Sequence, residues 1–328
     1  MKKEFIVSIF LVLTMVLSGC SSAVDSSAPD NSASDASSNS IQGGSTVTVK
    51  DMKGSVDIPA NPQRIVDVAG LSDELIILGV PFIASANTNM FDGVTVPAYL
   101  QDYFTENKVE IVGNYSGAAG DLNLEKIAEL KPDLIIMNIR HDKVYDQLKA
   151  IAPTLMIDDD INFVNWRGRF QQLGEWFGKQ EKADEWLKAY DARAAELSKQ
   201  VKDVVGDETF AVLEANSVHF GSYYVYRTGG PGELIYDELE LTPSAGGEVV
   251  DAEYFATIDA DHVFFFSDDG KVGDTANTPT WQNLKAVKNG NVYLGENSLQ
   301  YDMAYSANGK LLYMEKLANA IINHGNVE

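Results

Sequence analysis

The chain has 328 residues, 45% of them apolar, a formal charge of −23 and a single cysteine. At roughly 100–200 residues per domain, that length fits about two domains, with enough apolar side chains for real cores. The acid excess, 48 Asp and Glu against 25 Lys and Arg, argues against nucleic acid as a partner, and one cysteine excludes a disulfide framework and a thiolate zinc site.

Lys2 and Lys3 form a basic start, followed by an apolar run from Phe5 to Leu17 and then Leu17-Ser18-Gly19-Cys20. Small residues at the end of such a run mark a secretory cleavage site. Here they lead into the only cysteine, so residues 1–19 read as a lipoprotein signal peptide and Cys20 as the lipidated residue. A plain signal peptide or a short membrane anchor is the alternative. Residues 20–46 are rich in Ser, Ala, Asp, Gly and Asn, with almost nothing large and apolar. Such a composition cannot offset ordering entropy and reads as a flexible linker. The expectation is an acidic body tethered to the outer face of the cell membrane by one lipidated residue.

The folded pattern starts near Val47. Thr46 to Lys50 and Ser55 to Ile58 alternate as a β-hairpin around Asp51 to Gly54. Arg64 to Val68 reads as a strand and Leu71 to Leu78 as a helix ended by Gly79. Strand, loop and helix in repetition mark an α/β fold. Asn123 to Met137 aligns without gaps on Asp251 to Phe265: Glu125 meets Glu253, Ala128 meets Ala256 and Asp133 meets Asp261. Each half begins with a capping residue and a first-turn Glu, then runs a short helix into an apolar strand. Gln147 to Ile151 and Asn283 to Val287 echo each other in the same order, each before a further strand. Two like-built α/β lobes are therefore expected.

Between them, Gln180 to Val204 holds no Gly or Pro, and Ala183, Trp186, Leu187, Tyr190, Ala194, Leu197 and Val201 recur at helical steps. The organisation predicted is an N-terminal lobe over 47–178, a bridging helix over 179–205 and a C-terminal lobe over 206–328. Two Rossmann-like lobes joined by one long helix leave a cleft with limited closure.

No Walker loop, nucleotide fingerprint or Gly-x-Ser-x-Gly elbow occurs. Gly117 to Gly120 and Gly229 to Gly232 read as turns. His141, His219, His262 and His324 are scattered; His262 reads as structural, while His141 and His219 follow strand ends. No metal site assembles from them. Aromatic and cationic residues gather where α/β sheets bind ligands, at the carboxyl ends of strands. Arg140 follows the Ile135-Ile136-Met137 strand, and Trp166 and Arg167 open the helix after Ile157. Tyr223, Tyr224, Tyr226 and Arg227 follow the Val212-Leu213 strand, and Tyr301 and Tyr305 follow Leu294. Arginine grips oxyanions with a planar fork and aromatics cover flat faces. The candidate ligand residues are Arg140, Trp166, Arg167, Tyr224, Arg227 and Tyr301.

Pro62-Gln63-Arg64-Ile65-Val66, Leu78-Gly79-Val80-Pro81, Asn123-Leu124-Glu125-Lys126-Ile127, Leu130-Lys131-Pro132-Asp133-Leu134-Ile135, Ile151-Ala152-Pro153-Thr154 and Leu284 to Gly290 carry a resemblance. The chain from Val47 onward resembles the substrate-binding lipoproteins of bacterial iron–siderophore and cobalamin ABC importers. The resemblance implies a non-catalytic receptor with no cofactor that captures a ferric siderophore and delivers it to a permease and its ATPase; the lack of an outstanding exposed apolar stripe in the sequence suggests a monomer. It further implies one acidic docking residue per lobe: Glu125 in the Asn-Leu-Glu motif, and Glu238, with Asp237 beside it. The Leu-Gly-Leu usual after that second helix reads Leu239-Glu240-Leu241 here. Ferric tris-catecholates need converging cations, which Arg140, Arg167 and Arg227 would supply; the acidic body and the tyrosines favour hydroxamate or mixed carboxylate chelates. Cobalamin or haem is the alternative ligand, with His219 and Tyr224 as axial candidates. A surface metal-dependent hydrolase and a sensor domain are the alternatives of other classes.

Overall fold

A computed structural model describes residues 45–117, 121–157, 165–215, 222–244, 248–251 and 257–328. Cys20, the linker up to residue 44, His219, most of the Gly117–Gly120 turn and the helix expected over residues 252–256 lie outside the described residues.

The chain opens with an antiparallel hairpin, β1 (Thr46–Asp51) and β2 (Gly54–Pro59). Asp51 closes its turn by accepting from Lys53 N and Gly54 N. The first lobe is a five-stranded parallel sheet in the order β5 (Glu110–Ile111), β4 (Phe82–Ser85), β3 (Ile65–Val68), β6 (Leu134–Met137), β7 (Thr154–Met156). Its helices are α1 (Ser72–Leu78), α2 (Gln101–Asn107), α3 (Leu124–Glu129), α4 (Tyr145–Ile151) and α5 (Trp166–Trp176). Gly79 stops α1 in the left-handed region at φ 69°. Asn123 caps α3, its side chain accepting from Lys126 N at 2.9 Å.

A single helix, α6 (Gln180–Val205), leads into the second lobe. Its 26 residues span ~39 Å at 1.5 Å each. The second sheet has the order β11 (Glu248–Asp251), β9 (Ser222–Val225), β8 (Thr209–Glu214), β12 (His262–Ser267), β13 (Val292–Glu296), with β10 (Thr242–Pro243) also on β8. The helices are α7 (Gly230–Glu233), which runs into a π turn over Leu234–Glu238, then α8 (Pro279–Asn283), α9 (Lys285–Asn289), α10 (Asn297–Met303) and α11 (Ala307–Asn323). The Gly229–Gly232 stretch, expected as a turn, thus opens a helix.

The internal likeness covers one half of each sheet. β3-β6-β7 and β8-β12-β13 are parallel in both lobes. On the other flank β4 and β5 are parallel, whereas β9 returns antiparallel to β8 and β11 to β9. Asp251 ends strand β11. The helical unit matched to α4 is divided at Leu284, where ψ is 138°.

Alternation along the strands builds three layers. Leu134 and Ile136 join the inner core, and Ile135 and Met137 an outer one. Phe264 and Phe266 face inward, and Val263 and Phe265 outward. The inner core is continuous through both lobes: it joins Leu75 and Phe170 to Phe210 and Met314 by way of Leu187, Tyr190, Leu197 and Val201 of α6. The C-terminal helix α11 packs on α6 and also on α1 and α5 of the first lobe. The lobes thus share packing beyond the bridging helix. Leu197→Ala, at a fully buried α6 position, is expected to cost about 2–5 kcal/mol in urea unfolding. Lys199→Ala, at an exposed α6 ion pair, should cost less than about 0.5 kcal/mol.

Candidate functional site

The carboxyl ends of both sheets meet along one seam. Asp67, the third residue of β3, accepts from Ala69 N at 2.9 Å, Gly70 N at 3.1 Å, Leu71 N at 2.9 Å and Ser72 Oγ at 2.8 Å. It thereby folds the chain into α1. Burial pushes its carboxyl up to about 6 in spite of these donors. Asn138, after β6, donates to Ala69 O and Tyr115 O and so ties three loops of the first lobe's seam edge together.

Three carboxylates then join the lobes. Asp73 of α1 accepts from Asn308 N and Gly309 N in the first turn of α11, at 2.6 and 3.2 Å. Glu74, fully buried, accepts from Arg169 of α5 at 3.1 Å, and Arg169 also donates to Tyr305 O at 3.0 Å. Glu233 of α7 accepts from Trp166 Nε1 at 3.0 Å and from Lys310 Nζ at 2.8 Å. Trp166 and Arg169 belong to the first lobe, and Glu233, Tyr305 and Lys310 to the second.

Above this layer an aromatic row crosses the seam. Phe91, from the loop after β4, stacks on Tyr301 of α10 at 6.3 Å, and Tyr301 stacks on Tyr305 at 6.3 Å. Asn89 of the same loop donates to Ser298 O and to the Asp302 carboxylate. Glu214, the last residue of β8, accepts from Tyr226 OH at 2.5 Å and from Tyr301 OH at 2.8 Å. Burial first, and then the neighbouring Glu214 charge, raises the Tyr301 phenol, so it stays neutral and donating.

The structure sorts the expected ligand residues. Tyr301 lies in the row, half-buried. Tyr224 is half-buried on β9, opposite Glu214, with its ring edge-on to Tyr226 at 4.7 Å. Arg140 is half-buried in the turn after β6, at the seam edge of the first lobe. Arg227 is exposed, its guanidinium 5.4 Å from the Tyr236 ring centre. Trp166 is corrected: it is 1% exposed, its indole N–H is held by Glu233, and it packs on Trp186 and Tyr190. It is a core residue of the seam. Arg167 is corrected too. Its fork clasps Glu238 at 2.7 and 2.8 Å and Asp191 at 2.9 Å, so this cation serves the fold.

The same pair corrects Glu238 as a docking residue. Its side chain is 8% exposed and its carboxylate is engaged by Arg167. The π turn over Leu234–Glu238, closed by Leu239 N donating to Leu234 O, widens the helix and resets which side chains face out. Asp237 is the exposed acid there. Glu240 adopts the left-handed conformation, φ 52°, where the resembled family has Gly, and Lys202 pairs with its carboxylate at 2.6 Å. Glu125 is exposed in the first turn of α3. His141 is fully buried and burial lowers its pKa. His262 is buried against Phe210, hydrogen-bonded to Tyr293 and Glu208. Among the described residues no group of three or more His, Cys, Asp or Glu is arranged to hold a metal ion, and no helix is long and apolar enough to cross a membrane. Sequence reasoning missed Asn89, Phe91 and Glu214; only the position of Glu214 at the end of an apolar strand marked it.

A family model described as periplasmic binding protein matches residues 101–299. The chain belongs to the periplasmic binding protein family. Among its relatives in the family is the probable siderophore-binding lipoprotein YfiY of Bacillus subtilis (strain 168), 32% identical over 318 residues, 89% of this chain and 90% of that one. The iron(3+)-hydroxamate-binding protein FhuD of the same organism is 28% identical over 300 residues, 86% of this chain and 87% of that one. Among solved structures, Staphylococcus aureus SirA complexed with staphyloferrin B superposes with a TM-score of 0.67 at 25% identity, covering 85% of this chain and 99% of that one. The FhuD protein from S. pseudintermedius gives 0.66 at 25% identity, covering 85% and 98%. Two lobes and a long helix are thus the family's architecture.

Burial, then the charge of Glu74, pushes the Asp73 carboxyl up to about 7. An ordinary unfolded Asp titrates near ~3.9, so the folded state holds a proton that the unfolded chain has lost across about pH 4–7. Stability from this group is complete at the acid end and is lost as pH rises through that window. Asp73→Asn, which keeps the acceptor oxygen, is expected to flatten that fall when urea midpoints are compared from pH 4 to 8.

Proposed function

We propose that this protein captures a ferric siderophore at the seam between its lobes and delivers it to the permease of an ABC importer. The observation that carries the reading is the aromatic row Phe91–Tyr301–Tyr305, contributed by both lobes at the carboxyl ends of their sheets. Full-length relatives named for siderophore and iron(3+)-hydroxamate binding support the cargo class. The mechanism is binding followed by small closure, because the continuous inner core and the α6 strut resist wide opening. No covalent step is needed. Titrating the purified protein with ferric siderophores while following tryptophan emission should give saturable quenching at one equivalent; a flat response to every ferric chelate would refute the reading.

The Cys20 motif supports a lipid tether on the outer face of the membrane, as do relatives named as lipoproteins. Docking to the permease is assigned to one exposed acid per lobe, Glu125 and Asp237, each exposed at its helix. The variant Glu125→Ala/Asp237→Ala should lose siderophore-dependent iron uptake in cells while its affinity for the chelate stays within about twofold, well inside the ~1.4 kcal/mol that marks a tenfold change. Glu238→Ala is expected to act through the fold instead. It leaves Arg167 without its bidentate partner, and should lower the unfolding midpoint.

A further inference from the structure

The cargo's charge can be read from the wall around Glu214. This carboxylate ends β8 at the seam, buried at 3% exposure, and takes the hydroxyl hydrogens of both Tyr226 and Tyr301. A phenol has one hydrogen to give. With its hydrogen pointed at Glu214, the half-buried Tyr301 oxygen has only lone pairs left to offer, while the buried Tyr226 hydroxyl faces the Tyr301 and Tyr305 phenols. Phe91 ends the stacked row with Tyr301 and Tyr305 and is 45% exposed, and aromatic faces attract cations. Asp302, one residue from Tyr301, adds a further carboxylate, held by Asn89. Arg167, expected from the sequence to meet a chelate's charge, is held instead by Glu238 and Asp191. Acceptors, ring faces and acids therefore line one wall.

We propose that this wall selects a ferric hydroxamate chelate bearing a pendant ammonium, with Glu214 as the residue that sets the preference, and that it disfavours tris-catecholates, which carry several negative charges. A neutral chelate gains the ring contacts only. The inference rests on the siderophore reading and refines it.

The test uses three probes on the purified protein, by fluorescence quenching at fixed ionic strength. They are ferrioxamine B, a trihydroxamate with a terminal ammonium; its N-acetyl derivative, the same chelate without that charge; and ferric enterobactin. The expected order is ferrioxamine B, then the N-acetyl form weaker by about tenfold, then ferric enterobactin. Glu214→Gln should shrink the tenfold gap to about threefold or less by weakening ferrioxamine B, with little effect on the N-acetyl form. This separates a local cause from the general pull of an acidic body, which one substitution leaves in place. Equal affinity for the first two probes, tighter binding of ferric enterobactin, or an unchanged gap in Glu214→Gln would overturn the inference while leaving the siderophore reading intact. Should Glu214→Gln fail to fold, the first two probes are compared again on the wild-type protein at high salt: a gap set at the buried Glu214 persists, whereas one set by the acidic surface collapses and overturns the inference. No binding of any probe would refute both.

Discussion

The molecule depends on a buried layer of charge at the place where its halves meet. Asp73 and Glu74 come from one lobe and Glu233 from the other: Asp73 is met across the seam by α11 backbone and Glu233 by Trp166, with Lys310 of its own lobe beside it, while Glu74 holds Arg169 of its own lobe, which reaches across to Tyr305 O. Burying ions in this way is a poor source of stability, since desolvation costs as much as pairing returns. What it provides is geometry. A shift of the lobes by a few ångströms would strand a carboxylate without its donors in an apolar surrounding, so few relative positions are allowed. Apolar contacts alone would tolerate sliding. The ion layer thus fixes the distance between Phe91 on one lobe and Tyr301 on the other, and a site built from both lobes needs that distance fixed.

The arginines show how the charge is spent. Six are present in a chain with 48 acids. Arg64 binds the Leu130 and Lys131 carbonyls, Arg167 clasps Glu238, Arg169 reaches Glu74 and Arg193 joins Glu196 and Glu315. Four of the six therefore serve the scaffold, where the rigid guanidinium fork holds several acceptors at once. The seam is left with Arg140 and Arg227 near it, and with tyrosines as its chief polar groups. In the proposed reading, these parts offer a cargo ring faces and acceptor oxygens more than cations.

Much of the scaffold was legible in the sequence because it is local. The hairpin turn at Asp51, the Asn123 cap, the glycine stop at Gly79 and the α6 stripe each depend on residues a few positions apart. The parallel halves were legible because the chain repeats itself there. The site was read less well. Trp166 and Arg167 looked like ligand residues because aromatic and cationic side chains after a strand often are; their partners, Glu233 and Glu238, lie 67 and 71 residues away. Glu238 and Asp237 could not be told apart without the π turn, which no residue spacing announces. Glu214 is one acid among many, and only its two phenol donors distinguish it.

The internal repeat explains the frame, and its failure explains the site. Had β9 followed the plan of β4, the chain would have crossed over by a helix and run parallel to β8. Instead it returns antiparallel, which sets Tyr224 directly opposite Glu214 and brings the Tyr226 hydroxyl onto the carboxylate. A helical crossover would carry the next strand's first residues to the far end of the sheet, away from the seam. The reversal keeps aromatic residues beside the end of β8, where α10 adds Tyr301 and Tyr305. Two lobes of strictly equal build would present two similar edges to each other; the turned-back strand gives one edge the acid and the phenols, and so makes the two sides of the seam chemically different.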